Sequence, residues 1–264
     1  MDFFDFLGLL GGLALFLYGM DMQGDGLQRI AGGKLEAILG KLTSGPVRAV
    51  LLGMGVTAVI QSSSAATVMV VGLVNSGIMK LEQAIGVIMG ANVGTTITSW
   101  ILSLTGISSD NPFIMMLNPA NFCPIVAVVG VGLNLFSKSE KYKSIGKFLA
   151  GFAILMFGMQ DMSSAVAPLQ KAPSFQNVFL MLENPLLGML AGILLAAILQ
   201  SSSAAMGILQ ALSATGAVSM ASAVSIIMGQ NIGTCITAMI SSLNTGKHGK
   251  RAAFIHLYFN VIGT

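Results

Sequence analysis

The sequence predicts an all-α polytopic membrane protein built from two inverted-topology repeats. Three observations carry that expectation: an apolar and charge-poor composition, an internal match at one fixed offset, and the placement of lysine and arginine. Of the 264 residues, 54% are hydrophobic and 9% are charged, and the mean hydropathy is +0.83. Soluble domains carry about 25% charged residues. Apolar runs near the length of a bilayer crossing recur from end to end, as helical spans require. The 32 glycines suit helices that approach one another closely. The net charge of +3 is spread over loops and makes no patch for nucleic acid.

The chain starts MDFFDF, acidic where a signal peptide is basic, so the first crossing, near Phe6–Met22, is expected to be retained. A basic stretch follows, with Arg29, Lys34, Lys41 and Arg48. Next comes Pro46–Ser76, with Gln61-Ser62-Ser63-Ser64 near its middle. As one helix it would be ~46 Å long, too long for an ordinary span, while each half of about 15 residues is too short. A re-entrant hairpin that dips in and returns fits both lengths. A third element, Leu81–Leu104, carries Asn92-Val93-Gly94-Thr95 in its middle, and its glycines read as a break in the helix. A fourth runs Pro119–Phe136.

Sliding the chain by 139 positions lays Gln61 on Gln200 and Pro46 on Pro185. The same shift lays MGANVGTTIT on MGQNIGTCIT and Asn121 on Asn260. Roughly 24 identities fall in about 60 ungapped pairs, which marks a duplication. Residues 1–136 form the first repeat and 137–264 the second, whose last apolar segment stops at Thr264 after roughly 14 residues, short of a span.

Basic residues orient the repeats. If each QSSS element returns to its own side, the stretches 24–45, 137–147 and 244–251 share one face with Lys80. The loop 106–117, without lysine or arginine, falls opposite, and only Lys171 is then an outside base. If the element crosses once, Lys138–Lys147 opposes Arg29–Arg48, against the positive-inside rule. The returning arrangement puts three crossings between equivalent points, so the second repeat is inverted. The expected location is the cytoplasmic membrane, with the three basic stretches on the cytoplasmic side.

Interrupted apolar segments at matched places in inverted repeats point to a secondary transporter with its site near the midplane. The competing reading is a scaffold or channel in which these polar residues only glue helices. Catalysis is not expected, because no nucleophile, base and orienter come together: His248 lies in a loop and His256 in the last segment. Cys123 and Cys235 have no metal-ligand spacing and read as packing residues, and Asp21 and Asp161 read as carboxylates at segment ends. The site is then built from hydroxyls, amides and backbone. A serine in each QSSS caps the returning half-helix, and two such positive ends form an anion cradle without a side-chain cation. Asn92, Thr95, Thr96, Asn231 and Thr234 offer oxygens suited to a hard cation. An anion in such a site needs its countercharge delivered with it, which co-bound Na⁺ would do.

The paired QSSSAAT and QSSSAAM, with GANVGTTIT and GQNIGTCIT, resemble the type II sodium/phosphate cotransporter family, its bacterial members above all. LNPANFCPIVAVVG and RAAFIHLYFN are similar to family segments that follow each glycine-threonine motif. The resemblance implies Na⁺-driven symport of inorganic phosphate by alternating access. Phosphate would be held by Gln61, Ser62, Ser63, Ser64, Gln200, Ser201, Ser202 and Ser203. Sodium would use Gln61, Ser64, Gln200 and Ser203, with Asn92, Thr95, Thr96, Asn231 and Thr234 as further candidates. Cys235 stands where the first repeat has Thr96, so a hydroxyl is missing there. No cofactor is implied beyond Na⁺ as coupling ion; the expected partners are phosphate, Na⁺, membrane lipids and a second copy in a homodimer. Bacterial relatives often continue into further helices and a PhoU-like domain, so the chain is expected to be a fragment of a longer protein. A symporter of another oxyanion or small carboxylate is the alternative.

Overall fold

A computed structural model of the chain describes residues 3–31, 45–104, 118–168, 177–178, 180–214, 216 and 218–264. Lys34, Lys41, Lys171 and the loop 106–117 lie outside the described residues. The described fold is all helix: α1 (Phe3–Ala31), α2 (Pro46–Ile60), α3 (Ser63–Asn75), α4 (Leu81–Ser103), α5 (Pro119–Phe136) and α6 (Glu140–Val166). There follow α7 (Pro185–Leu199), α8 (Ser202–Ala214), α9 (Met220–Gly233), α10 (Cys235–Ser242) and α11 (Lys247–Gly263). Among the described residues, four stretches are long and apolar enough to cross a membrane: Phe3–Ile30, Leu81–Ser103, Glu140–Val166 and Met220–Ser242, the last being α9 with α10. The chain is a multi-pass membrane protein. Residues 24–31, expected in the first basic loop, are instead the last turns of α1, so Arg29 sits on a helix end where it suits the dipole.

Two compact units organise the chain, and both draw on residues from either side of position 136. One comprises residues 1–30, 99–188 and 206–224. In it α1 runs antiparallel to α6 along a seam of glycines. A side-chain carbon on Gly12 would come within 2.9 Å of Gly158 O, and one on Gly26 within 2.6 Å of Phe148 N, while Gly19 meets the backbone of Gly151 and Leu155. Backbones this close tolerate only glycine, which is how membrane helices pack without bulky knobs. Lys147 Nζ closes the end of the seam on Asp25 Oδ2 at 2.6 Å. The offset of 139 that lays Gly19 on Gly158 makes α1 and α6 equivalent elements, and they run in opposite directions. Helices α5 and α6 form a second antiparallel pair through Gly130 and Gly146, each packed on the other's carbonyl.

The other unit comprises residues 31–98, 189–205 and 225–264. Here α2 and α4 run parallel. The Pro46 carbonyl lies beside Gly86, Gly90 packs on Val50, Gly94 on Met54, and Thr98 reaches Gln61. Only residues 76–80 join α3 to α4. At a reach of about 3.5 Å per residue that link cannot carry the chain back along α2. So α3 must return from Gln61 toward the level where α2 began, which is the expected hairpin. The second repeat reproduces the arrangement: Gly192 packs on the Ile226 carbonyl, Gly229 on that of Met189 and Gly233 on that of Ile193, while Gly53 packs on Val87 in the first. Gly77 (φ 77°) and Gly216 (φ 75°) occupy the same place in the turns that follow α3 and α8. Just before α11 the N-cap Gly246 N–H donates to Asn75 Oδ1 at 2.8 Å, so the start of that helix lies at the end of α3. Arg48, Lys80 and Lys247 therefore share one end of this unit.

One expectation is corrected. The Asn-x-Gly-Thr element is not a broken helix in the first repeat, where α4 is continuous through Asn92 and Thr95. In the second repeat Thr234 separates α9 from α10, yet its dihedrals stay helical (φ −64°, ψ −23°). The glycines that suggested a break, Gly90, Gly94, Gly229 and Gly233, serve close packing against α2 and α7 instead. Sequence alone does not separate these two uses of glycine.

Candidate functional site

Helix α2 ends because Gln61 turns left-handed (φ 59°, ψ 22°), and Gln200 does the same after α7 (φ 53°). Among the described residues no other non-glycine has a positive φ. That conformation costs an L-residue about 1–2 kcal/mol, which glycine would avoid. Glutamine at both places therefore argues that the side chain is wanted there. Ser62 is extended (φ −147°, ψ 107°), and its Oγ accepts from Ala65 N at 3.2 Å. Ser201 Oγ accepts from Ala204 N at the same 3.2 Å. Each cap satisfies one of the four partnerless N–H groups that open α3 and α8; those nearest the turn keep no partner within the helix.

The two motifs meet. Ser64 Oγ donates to the Gln200 carbonyl at 3.5 Å, a long bond that spans 136 residues of sequence. Ser63, Ser64 and Ser203 are buried, Ser62, Ser201 and Ser202 half-buried. Of the predicted phosphate set, Ser64 and the Gln200 backbone are brought into contact, and the other residues lie on the same two turns and helix starts, none of them lysine or arginine. The glutamines differ. Gln61 is buried and held at both ends of its amide: Nε2 donates to Ala58 O at 2.5 Å and Oε1 accepts from Thr98 Oγ1 at 3.0 Å. Gln200 is exposed.

The predicted cation candidates are placed less uniformly. Thr95 Oγ1 donates to Ala91 O (3.2 Å), Thr96 Oγ1 to Val93 O (2.7 Å) and Thr234 Oγ1 to Gln230 O (2.7 Å). Donation leaves their oxygen lone pairs available. Asn92 Nδ2 is enclosed without a hydrogen-bond partner, whereas Thr96 and Asn231 are exposed. Cys235 is buried and accepts from Asn260 Nδ2 at 3.3 Å, so the thiol is packed into α11. Sequence reasoning passed over Thr98, although its motif ends in Thr in both repeats while the residue two places earlier is Thr96 in one and Cys235 in the other. It also passed over Thr57 and Thr67, whose enclosed hydroxyls have no partner and flank the first turn. No signal pointed to them, because the second repeat has Ala196 and Met206 there.

Comparison with known proteins follows the same lines. The sequence model described as Na⁺/Pi-cotransporter matches the chain twice, over residues 15–164 and 154–263. YqeW of Bacillus subtilis is 32% identical over 95% of this chain and 78% of its own length. YjbB of Escherichia coli, named for inorganic phosphate export, is 28% identical over 98% of this chain, which spans 45% of YjbB's length. The rat sodium-dependent phosphate transport protein 2A is 38% identical over 36% of this chain and 15% of its own length. No solved structure matches the chain.

Proposed function

The chain belongs to the Na⁺/Pi-cotransporter family, and from that premise we propose that it binds inorganic phosphate between its two QSSS turns and carries it across the cytoplasmic membrane with Na⁺. The observation that carries this reading is the meeting of two capped helix starts through Ser64 and the Gln200 carbonyl. Phosphate is recognised there by N–H groups, serine hydroxyls and glutamine amides, aided by two helix dipoles. Those partial charges offset only part of a charge near −2, so the anion enters a low-dielectric region under-compensated. Sodium bound beside it, on Gln61, Ser64, Gln200, Ser203 and the Asn92, Thr95, Thr96, Asn231 and Thr234 oxygens, supplies the remainder. A cradle that closes only on the pair couples the two fluxes.

The antiparallel packing of the equivalent helices α1 and α6 supports the inverted-repeat reading and hence alternating access about the paired turns. The common end of Arg48, Lys80 and Lys247, and separately that of Arg29 and Lys147, support a cytoplasmic basic face. YjbB's name favours a second direction of flow, outward. Proteoliposomes loaded on either side with radiolabelled phosphate, with and without a Na⁺ gradient, test both. Uptake driven by inward Na⁺ is the expected result. Flux indifferent to Na⁺ removes the coupling, and sulfate or glutamate outcompeting phosphate removes the substrate.

A further inference from the structure

Thr98 and Thr237 occupy the same place in the two repeats, one residue after the isoleucine of GTTIT and GTCIT. Thr98 Oγ1 donates to Gln61 Oε1 at 3.0 Å, a bond within the buried interior. Thr237 Oγ1 is enclosed and has no hydrogen-bond partner. Its counterpart glutamine, Gln200, holds the same left-handed backbone but is exposed. An enclosed hydroxyl without a partner is costly, and most helical Ser and Thr hydroxyls here avoid that by donating to a carbonyl one turn back, as Thr95, Ser144, Ser163 and Thr234 do. Thr237 does not take that local bond. In the first repeat the same position bonds the side chain of the motif glutamine.

We propose that Thr98 and Thr237 are positioning residues for the two motif glutamines, that the first-repeat turn stands clamped in this structure, and that the second-repeat turn closes when Gln200 swings inward onto Thr237. The proposal rests on the reading of the QSSS turns as the phosphate site. Gln61 is then a fixed wall of the cradle, and Gln200 the moving one. Its inward swing satisfies the Thr237 hydroxyl and brings its amide to the ligand in one motion. The unpartnered hydroxyl raises the free energy of the open form, which favours closure once a ligand has repaid the desolvation of Gln200. Two glutamines of equal sequence context thereby acquire different duties.

Phosphate uptake kinetics of the full chain separate the duties. Thr98→Ala removes one of the two bonds that hold the Gln61 amide in every state and is expected to raise the phosphate KM about tenfold, with Thr98→Ser restoring it. Thr237→Ala is expected to lower the maximal rate about tenfold with KM within about twofold, and Thr237→Ser to restore the rate. Combined with Gln200→Ala, Thr237→Ala should add no further loss, because the two changes remove one interaction. A Thr237→Ala variant with wild-type kinetics overturns the proposal, as do losses that add in the double variant. Thermal unfolding gives a second readout that needs no transport. Gln61→Ala and Thr98→Ala should couple without ligand, whereas Gln200→Ala and Thr237→Ala should couple only with phosphate and Na⁺ present. Coupling of the second pair without ligand sinks the moving wall. A chain that moves no phosphate removes the substrate reading, and the ligand-free unfolding cycles then still decide the clamp at Gln61 and its absence at Gln200.

Discussion

Replacing each motif glutamine by glycine and by alanine separates the backbone's demand from the side chain's. At Gln61 the left-handed backbone (φ 59°) penalises any residue with a Cβ by about 1–2 kcal/mol. Glycine elsewhere is about 0.5–1 kcal/mol less stable than alanine because it loses more freedom on folding. At this position the order should reverse, with Gln61→Gly about 1 kcal/mol more stable than Gln61→Ala. Both lose two amide hydrogen bonds, to Thr98 and to the Ala58 carbonyl, worth about 1 kcal/mol each. Stranding the Thr98 hydroxyl raises the cost further. Net destabilisation of roughly 1–2 kcal/mol is expected for Gln61→Gly and roughly 2–3 kcal/mol for Gln61→Ala. At Gln200 the backbone relief is the same but the exposed side chain has no such clamp, so Gln200→Gly should be neutral or stabilising by about 1 kcal/mol. Equilibrium unfolding of purified protein in mixed micelles measures all four variants. Equal costs at the two positions, or Gln61→Ala more stable than Gln61→Gly, would refute the conformations on which the site is built.

Three further outcomes are expected. Gly90→Ala or Gly229→Ala drives a methyl into the carbonyl of Val50 or Met189 and should cost more than about 3 kcal/mol, seen as loss of monodisperse protein, while Gly55→Ala, which meets open space inside α2, should stabilise by about 0.5–1 kcal/mol. Ser62→Ala and Ser201→Ala each remove a helix cap and should lower stability by about 1 kcal/mol in the same unfolding assay, with glycine at either position costing only a few tenths. Single cysteines at Lys80 and Ser139 should react with a membrane-impermeant thiol reagent only from the cytoplasmic side, and labelling of either from outside contradicts the orientation proposed from the basic residues.

The hairpin, the duplication and the family motifs were legible because each leaves a mark along the chain. A helical stretch too long for one span and too short in halves has to fold back, and QSSS marks the place. An offset of 139 recurs in identities, in both left-handed glutamines and in both positive-φ glycines, since equal local sequence repeats equal local structure. Pro119–Phe136 is legible to the residue because proline starts a helix and polar residues follow its end. The role of glycine was not legible. In GANVGT and GQNIGT it reads equally as a break or as a contact surface, and only the approach of α2 to α4 shows that the helix continues.

Composition, segment length and the offset of 139 thus determined by themselves that this chain spans membranes as helices, interrupts them at Gln61 and Gln200, and repeats itself. Those properties depend on residues near one another in sequence, or on counts along it. What the tertiary structure decided is which polar groups find partners. Thr98 and Thr237 are the same residue in the same motif, yet one is bonded and one stranded, because hydrogen bonding over about 3 Å depends on where a glutamine from another helix points. Sequence identity at an offset equalises the local chain and leaves that distance free to differ.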